Sequence, residues 1–186
     1  MKLRICSLLL LFLTGCVTVA EPELQVTRIN MVKTGNLSLL PTESKRFSWH
    51  PTLLKVYVSD DADAEKLVKH MQNSITKLME SRGYQLVPIT DSPSVLVGFG
   101  LALESEMSDK EILNRAGLMV GLSTVGVDRN QYEKGSVLVA IFSPEQVLPL
   151  WRVLAQGLTD LKRSDEEREQ RIDQIMARIL KSIPRA

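Results

Sequence analysis

Apolar residues recur along this chain at two spacings. Leu67, Val68, Met71, Ile75, Leu78 and Met79 share one helical face and predict a helix from about Ala62 to Arg82. Asp60, Asp61 and Asp63 offer caps and favourable charge at its start, and Gly83 a stop. A second stripe, Ile172, Ile175, Met176, Ile179, Leu180 and Ile183, follows the capping box Ser164-Asp165-Glu166-Glu167 and ends at Pro184. Another capping box, Ser108-Asp109-Lys110-Glu111, opens a helix through Ile112, Leu113, Ala116 and Met119, whose end Gly117, Gly121 and Gly126 blur.

The remaining apolar stretches are extended. Residues 24–32 are rich in β-formers; residues 45–49 alternate, Pro51 interrupts, and residues 53–58 resume. Residues 84–87 make a short strand and residues 95–103 a long apolar one, in which Gly98 and Gly100 point to a bulge or close packing. Residues 137–142 and 147–158 flank a turn at Ser143-Pro144-Glu145-Gln146, with Trp151 expected in the core. Tight turns between neighbouring strands imply a mostly antiparallel sheet, and one stripe per helix puts each helix on a single sheet face. The predicted fold is α+β, a two-layer sandwich of that sheet with two main amphipathic helices packed on it.

The first residues change the picture. Met1-Lys2-Leu3-Arg4 precedes the apolar run from Ile5 to Leu13, too short to span a membrane and suited to a signal peptide. Leu13-Thr14-Gly15-Cys16 then resembles the lipobox of bacterial lipoproteins, in which Leu13, Thr14 and Gly15 are read by the signal peptidase and the Cys16 thiol receives lipid. The expected organisation is a signal peptide over 1–15, lipidated Cys16 and a tether to residue 23, and one domain over 24–186. Two or more acyl chains, palmitate among them, would make membrane attachment stable. Val17 rather than Asp after the cysteine permits, by resemblance to enterobacterial lipoproteins, sorting to the outer membrane facing the periplasm.

Charge and cysteine count agree with this reading. The 186 residues carry 23 basic and 22 acidic side chains. Removing 1–15 takes away Lys2 and Arg4, leaving 21 basic side chains against 22 acidic. Such a balance argues against nucleic acid as a partner. Two cysteines, one inside the leader, exclude a disulfide scaffold and a four-cysteine zinc site.

Several landmarks stand in one order: Cys16 in its lipobox, Phe47-Ser48-Trp49, Ser81-Arg82-Gly83-Tyr84, Ser94-Val95-Leu96-Val97-Gly98, Gly135-Ser136-Val137-Leu138-Val139, Leu150-Trp151-Arg152 with Gly157, and Ile183-Pro184. Together they resemble the bacterial lipoprotein family called domain of unknown function 4136, over roughly residues 24–184. The resemblance implies an envelope location and a fold, not a reaction. Ser92-Pro93-Ser94 stands where the family often has an Ala-Asp pair, and Phe142-Ser143 where an Asp is common, so no activity resting on carboxylates there is implied.

Candidate chemistry is sparse. His50 and His70 lack the HxxxH or HExxH spacing of a metal site, and there is no Gly-x-Ser-x-Gly elbow or phosphate loop. Both histidines are expected on solvated surfaces, and no cofactor or metal is expected. Lys66, Lys69 and Lys77, and Arg171, Arg178, Lys181 and Arg185, are read as solvated faces; their alternative is contact with an anionic envelope component. The Gly-rich stretch 116–127 is the candidate partner face, through Leu118, Met119, Val120 and Leu122. The function expected is therefore a lipid-anchored, non-enzymatic binding or accessory subunit. An envelope hydrolase built around His50, or a secreted binding module without lipid, are the alternatives.

Overall fold

The computed structural model describes residues 28–41 and 45–185. Leu13, Thr14, Gly15 and Cys16, and the start of the strand expected at 24–32, lie outside the described residues. Six strands, β1 (Ile29–Gly35), β2 (Arg46–Tyr57), β3 (Gln85–Leu86), β4 (Val95–Leu103), β5 (Tyr132–Phe142) and β6 (Trp151–Asp160), form one sheet in the order β1-β6-β5-β4-β2-β3. Among the described residues, three α-helices accompany it: α1 (Asp61–Glu80), α2 (Asp109–Ala116) and α3 (Asp165–Leu180). The fold is α+β.

The sheet is mixed, which corrects the mostly antiparallel expectation. β1–β6, β6–β5 and β5–β4 are antiparallel, but β2 runs parallel to both β4 and β3. The cause lies in α1. A helix between two strands that pair carries the chain back along the sheet, so the second strand starts at the same end as the first. Pro51 does not end its strand either. β2 continues through it, and the register with β4 jumps from Trp49↔Val97 to Leu54↔Phe99. The irregularity places the proline where its missing N–H costs no ladder bond.

Alternation along the strands separates two faces. Odd positions such as Val97, Phe99, Val139, Ile141 and Val153 meet Met71, Ile75 and Met79 of α1 and Met176, Ile179 and Leu180 of α3 in the main core. Trp151 is buried among them. Even positions point the other way. Ala102 and Leu154 pack with Ile112 and Ala116 of α2 and with Leu118. The sheet is thus covered on both sides over part of its area, rather than by two helices on one side. α2 ends at Ala116, earlier than expected, because Gly117 adopts φ +61° and donates its N–H to the Leu113 carbonyl. β6 starts at Trp151 rather than residue 147; Val147 is 93% exposed in the turn before it.

α1 and α3 run side by side in the same direction. His70 of α1 meets Asp173 of α3 at 3.0 Å, and Arg82 beyond α1 donates to the Ile183 carbonyl at 2.6 Å. Both helix N-termini therefore lie at one end of the sheet.

Gly98 confirms the expected close packing. A Cβ there would come within 2.8–3.0 Å of the Leu53 side chain, which the β2 irregularity folds over β4. Gly98→Ala is expected to destabilise the domain by about 1–3 kcal/mol through overpacking. Combined with Leu53→Ala, the two losses should sum to clearly more than the double variant's loss in denaturant titrations. Additive losses would show that the contact does not govern this position.

Candidate functional site

The site is a cleft of about 300 Å³ at the end of the sheet where α1 and α3 begin. Its origin is a row of residues across four strands. Leu103 of β4 pairs with Gly135 of β5, Gly135 with Gly157 of β6, and Gly157 with Ile29 of β1. The two central residues of this row have no side chain. Over Gly157 the space is taken by the Arg171 guanidinium and the Ile29 side chain, but over Gly135 nothing fills the layer between sheet and helices, and a hollow remains. Val58, Leu67, Leu101, Val137, Ile172 and Ile175 make it apolar. Its volume lies at the low end of the range for small-ligand pockets, about 300–1,000 Å³.

Charged groups surround the mouth. Asp60 caps α1, its carboxylate accepting the Ala62 and Asp63 amides at 2.8 and 3.0 Å. Asp63 pairs with Lys66 at 3.5 Å and Asp165 with Arg168 at 3.7 Å. Glu133 accepts the Ser105 amide at 2.6 Å, and Asp160 the Lys162 amide at 2.9 Å. Arg171 lies over Gly157, where a Cβ would sit 3.5 Å from its Nη2. Burial lowers its pKa, and the charges of Arg163 and Arg178 add to the effect.

The opposite face of the same strand segments carries a buried polar cluster. Lys134, 4% exposed, reaches Asp109 at 2.7 Å and Glu104 at 3.1 Å. Gln156, 1% exposed, donates to Asp109 at 2.7 Å and to Ser136 at 3.1 Å, and accepts the Leu122 amide at 3.3 Å. Burial alone would raise the Asp109 pKa, but hydrogen bonds from Lys134 and Gln156, with the Lys134 charge, bring it below the ordinary carboxylate value. Burial alone would lower Lys134, but bonds to Asp109 and Glu104 outweigh it and raise the pKa. The cluster ties α2 and the segment after it to the sheet.

That segment contains the candidate partner face, and the structure splits it. Leu118 is buried against α2 and the sheet, so it is core rather than contact surface. Met119 points outward and is 55% exposed; Val120 and Leu122 are half-buried. The histidines are partly covered rather than fully solvated as the sequence leads one to expect. His70 faces α3, near Glu169 at 3.5 Å and Asp173 at 3.0 Å, because helix packing covers the α1 flank that looked free in isolation. His50 packs on Phe142, ring centroids 4.4 Å apart, accepts the Thr52 amide at 3.3 Å, and has its pKa lowered by burial. The cleft does not include either histidine. Among the described residues, no group of three or more His, Cys, Asp or Glu is placed to hold a metal ion.

The model of the family described as "domain of unknown function (DUF4136)" matches residues 35–185. The chain belongs to this family. No curated protein matches it by sequence. Among solved structures, a DUF4136 family protein from Bacteroides thetaiotaomicron is similar at 9% identity and TM-score 0.51, over 84% of this chain and 97% of that one. PelC from Paraburkholderia phytofirmans, solved as a dodecamer, is similar at 6% identity and TM-score 0.50, over 86% and 99%. At such identities the likeness is one of fold alone. The family match leaves the cleft unassigned, and the sequence carries no local signal for it; two glycines 22 positions apart become neighbours only through the β5–β6 register, Gly135↔Gly157.

The polar cluster is testable. Gln156→Leu should speed hydrogen exchange at the Leu122 amide and cost about 1–3 kcal/mol, because Asp109, Ser136 and the amide lose a buried partner. Asp109 is depressed from 3.8, so its contribution is present above that pH and fades as pH falls through the lower folded value. Lys134 is raised from 10.5, so its contribution holds below 10.5 and fades only at higher pH. Lys134→Met should remove both slopes from the pH dependence of Tm; unchanged slopes would assign them elsewhere.

Proposed function

We propose that this protein is a lipid-anchored lipoprotein of the cell envelope, facing the periplasm from the outer membrane. It acts as a non-enzymatic binding or accessory subunit whose binding site is the cleft between α1 and α3. The anchor reading rests on Leu13-Thr14-Gly15-Cys16 placed directly after a basic and then apolar leader. The observation that carries the binding reading is the position of the cleft. Gly157 lies in its floor and pairs with Ile29, the first residue of β1. The chain leading back to Cys16 therefore enters the domain beside the cleft. Twelve residues separate Cys16 from Ile29, a reach of at most about 45 Å. A lipid on Cys16 would thus hold the cleft end of the domain near the membrane. Among the described residues, no helix is long and apolar enough to cross a membrane, so in this reading attachment depends on the lipid.

Cells expressing the full chain and fed a clickable palmitate analogue should incorporate label into the wild type and not into Cys16→Ser. The variant should also leave the membrane fraction. Label retained by Cys16→Ser would refute the anchor.

A further inference from the structure

We propose that the cleft above Gly135 binds a single-chain amphiphile with a cationic head. The apolar chain lies over Gly135 between α1 and α3, and the head sits among the carboxylates at the mouth. This rests on the reading of the cleft as the binding site and not on lipidation of Cys16.

Shape selects the chain. A Cβ built on Gly135 meets only the Gly157 carbonyl, 4.0 Å away, so the space above it is open to a hydrocarbon. Leu67 on one side and Ile172 and Ile175 on the other provide apolar walls. About 300 Å³ suits one chain rather than two.

Charge selects the head. Six carboxylates and three cations border the cleft. Lys66 and Arg168 each pair with a carboxylate on their own helix. Asp60, Glu133 and Asp160 are instead held by backbone amides, which orient a carboxylate without neutralising it. The N-termini of α1 and α3 contribute about half a positive charge each, too little to cancel the acidic excess. Arg171, the third cation, lies over Gly157 on the cleft floor rather than among the carboxylates at the mouth. A cationic head at the mouth is therefore attracted and an anionic one repelled, an effect that salt should weaken.

The experiment is calorimetric titration of the purified full chain with decyltrimethylammonium, decyl maltoside and decyl sulfate, each below its micelle concentration. The expected result is one-to-one binding, with the ammonium head at least about tenfold tighter than the sulfate and the maltoside between them. Gly135→Leu, which fills the hollow, should abolish binding of all three while Tm is retained. If that variant does not fold, Gly135→Ala should weaken all three several-fold. Glu133→Gln with Asp160→Asn should bring the ammonium-to-sulfate ratio towards one and leave maltoside binding unchanged. No saturable binding of any probe, or binding that survives a folded Gly135→Leu, overturns the cleft as a ligand site and the binding reading with it. Sulfate binding as tight as ammonium overturns the head assignment alone.

Discussion

The pairing of β5 with β6 is the constraint on which the rest of this domain depends. It lies within the antiparallel part of the sheet, joins β1 and β6 to the other four strands, and sets Gly135 opposite Gly157. Because side chains alternate across a strand, one stretch of this pair has two characters. Lys134, Ser136 and Gln156 point to the α2 side, where they build a buried polar cluster with Asp109. Gly135 and Gly157 face the α1–α3 side, where Gly135 leaves a hollow and Gly157 makes room for Arg171. A slip of one residue would exchange the two faces, burying a lysine under the long helices and opening the floor under α2. The polar cluster therefore also specifies register, since a buried charge left without its partners is costly.

Much of this fold is legible in the sequence, for physical reasons. The capping boxes at Ser108 and Ser164 both form, with reciprocal bonds to Glu111 and Glu167. They are local and need no tertiary context. β4 spans the expected residues because a continuous apolar run bounded by breakers has few alternatives. Strand direction is different in kind. Nothing local to residues 46–57 shows that they pair with residues 95–103 in parallel; the clue is α1 between them. The helix flank carrying His70 reads as solvated until α3 is packed beside it. Leu118 follows a helix-ending glycine and looks like loop surface, yet the segment turns back and buries it. The cleft is hardest to foresee, because it is made by absent side chains on two strands.

The family match and the two solved relatives agree with this architecture and leave its use open. Two features lie at one end of the molecule. One is an apolar hollow bordered by an excess of carboxylates. The other is the point where β1 begins, reached from Cys16 through twelve residues. If Cys16 carries lipid, the anchor would set where the domain works, and the hollow over Gly135 is where the proposed ligand would enter. The opposite end, with the exposed Val147 and Leu148, would point away from the attached membrane.

Membrane proximity of the two ends is the most direct measure of this account. Spin labels at Leu161, at the cleft, and at Val147, in the turn before β6, are separated by most of the length of β6, about 30 Å. With the lipidated chain in vesicles that carry a lipid-bound relaxation agent, the label at position 161 should relax markedly faster than the one at 147. Equal relaxation at both, or faster relaxation at 147, would contradict a cleft held towards the membrane.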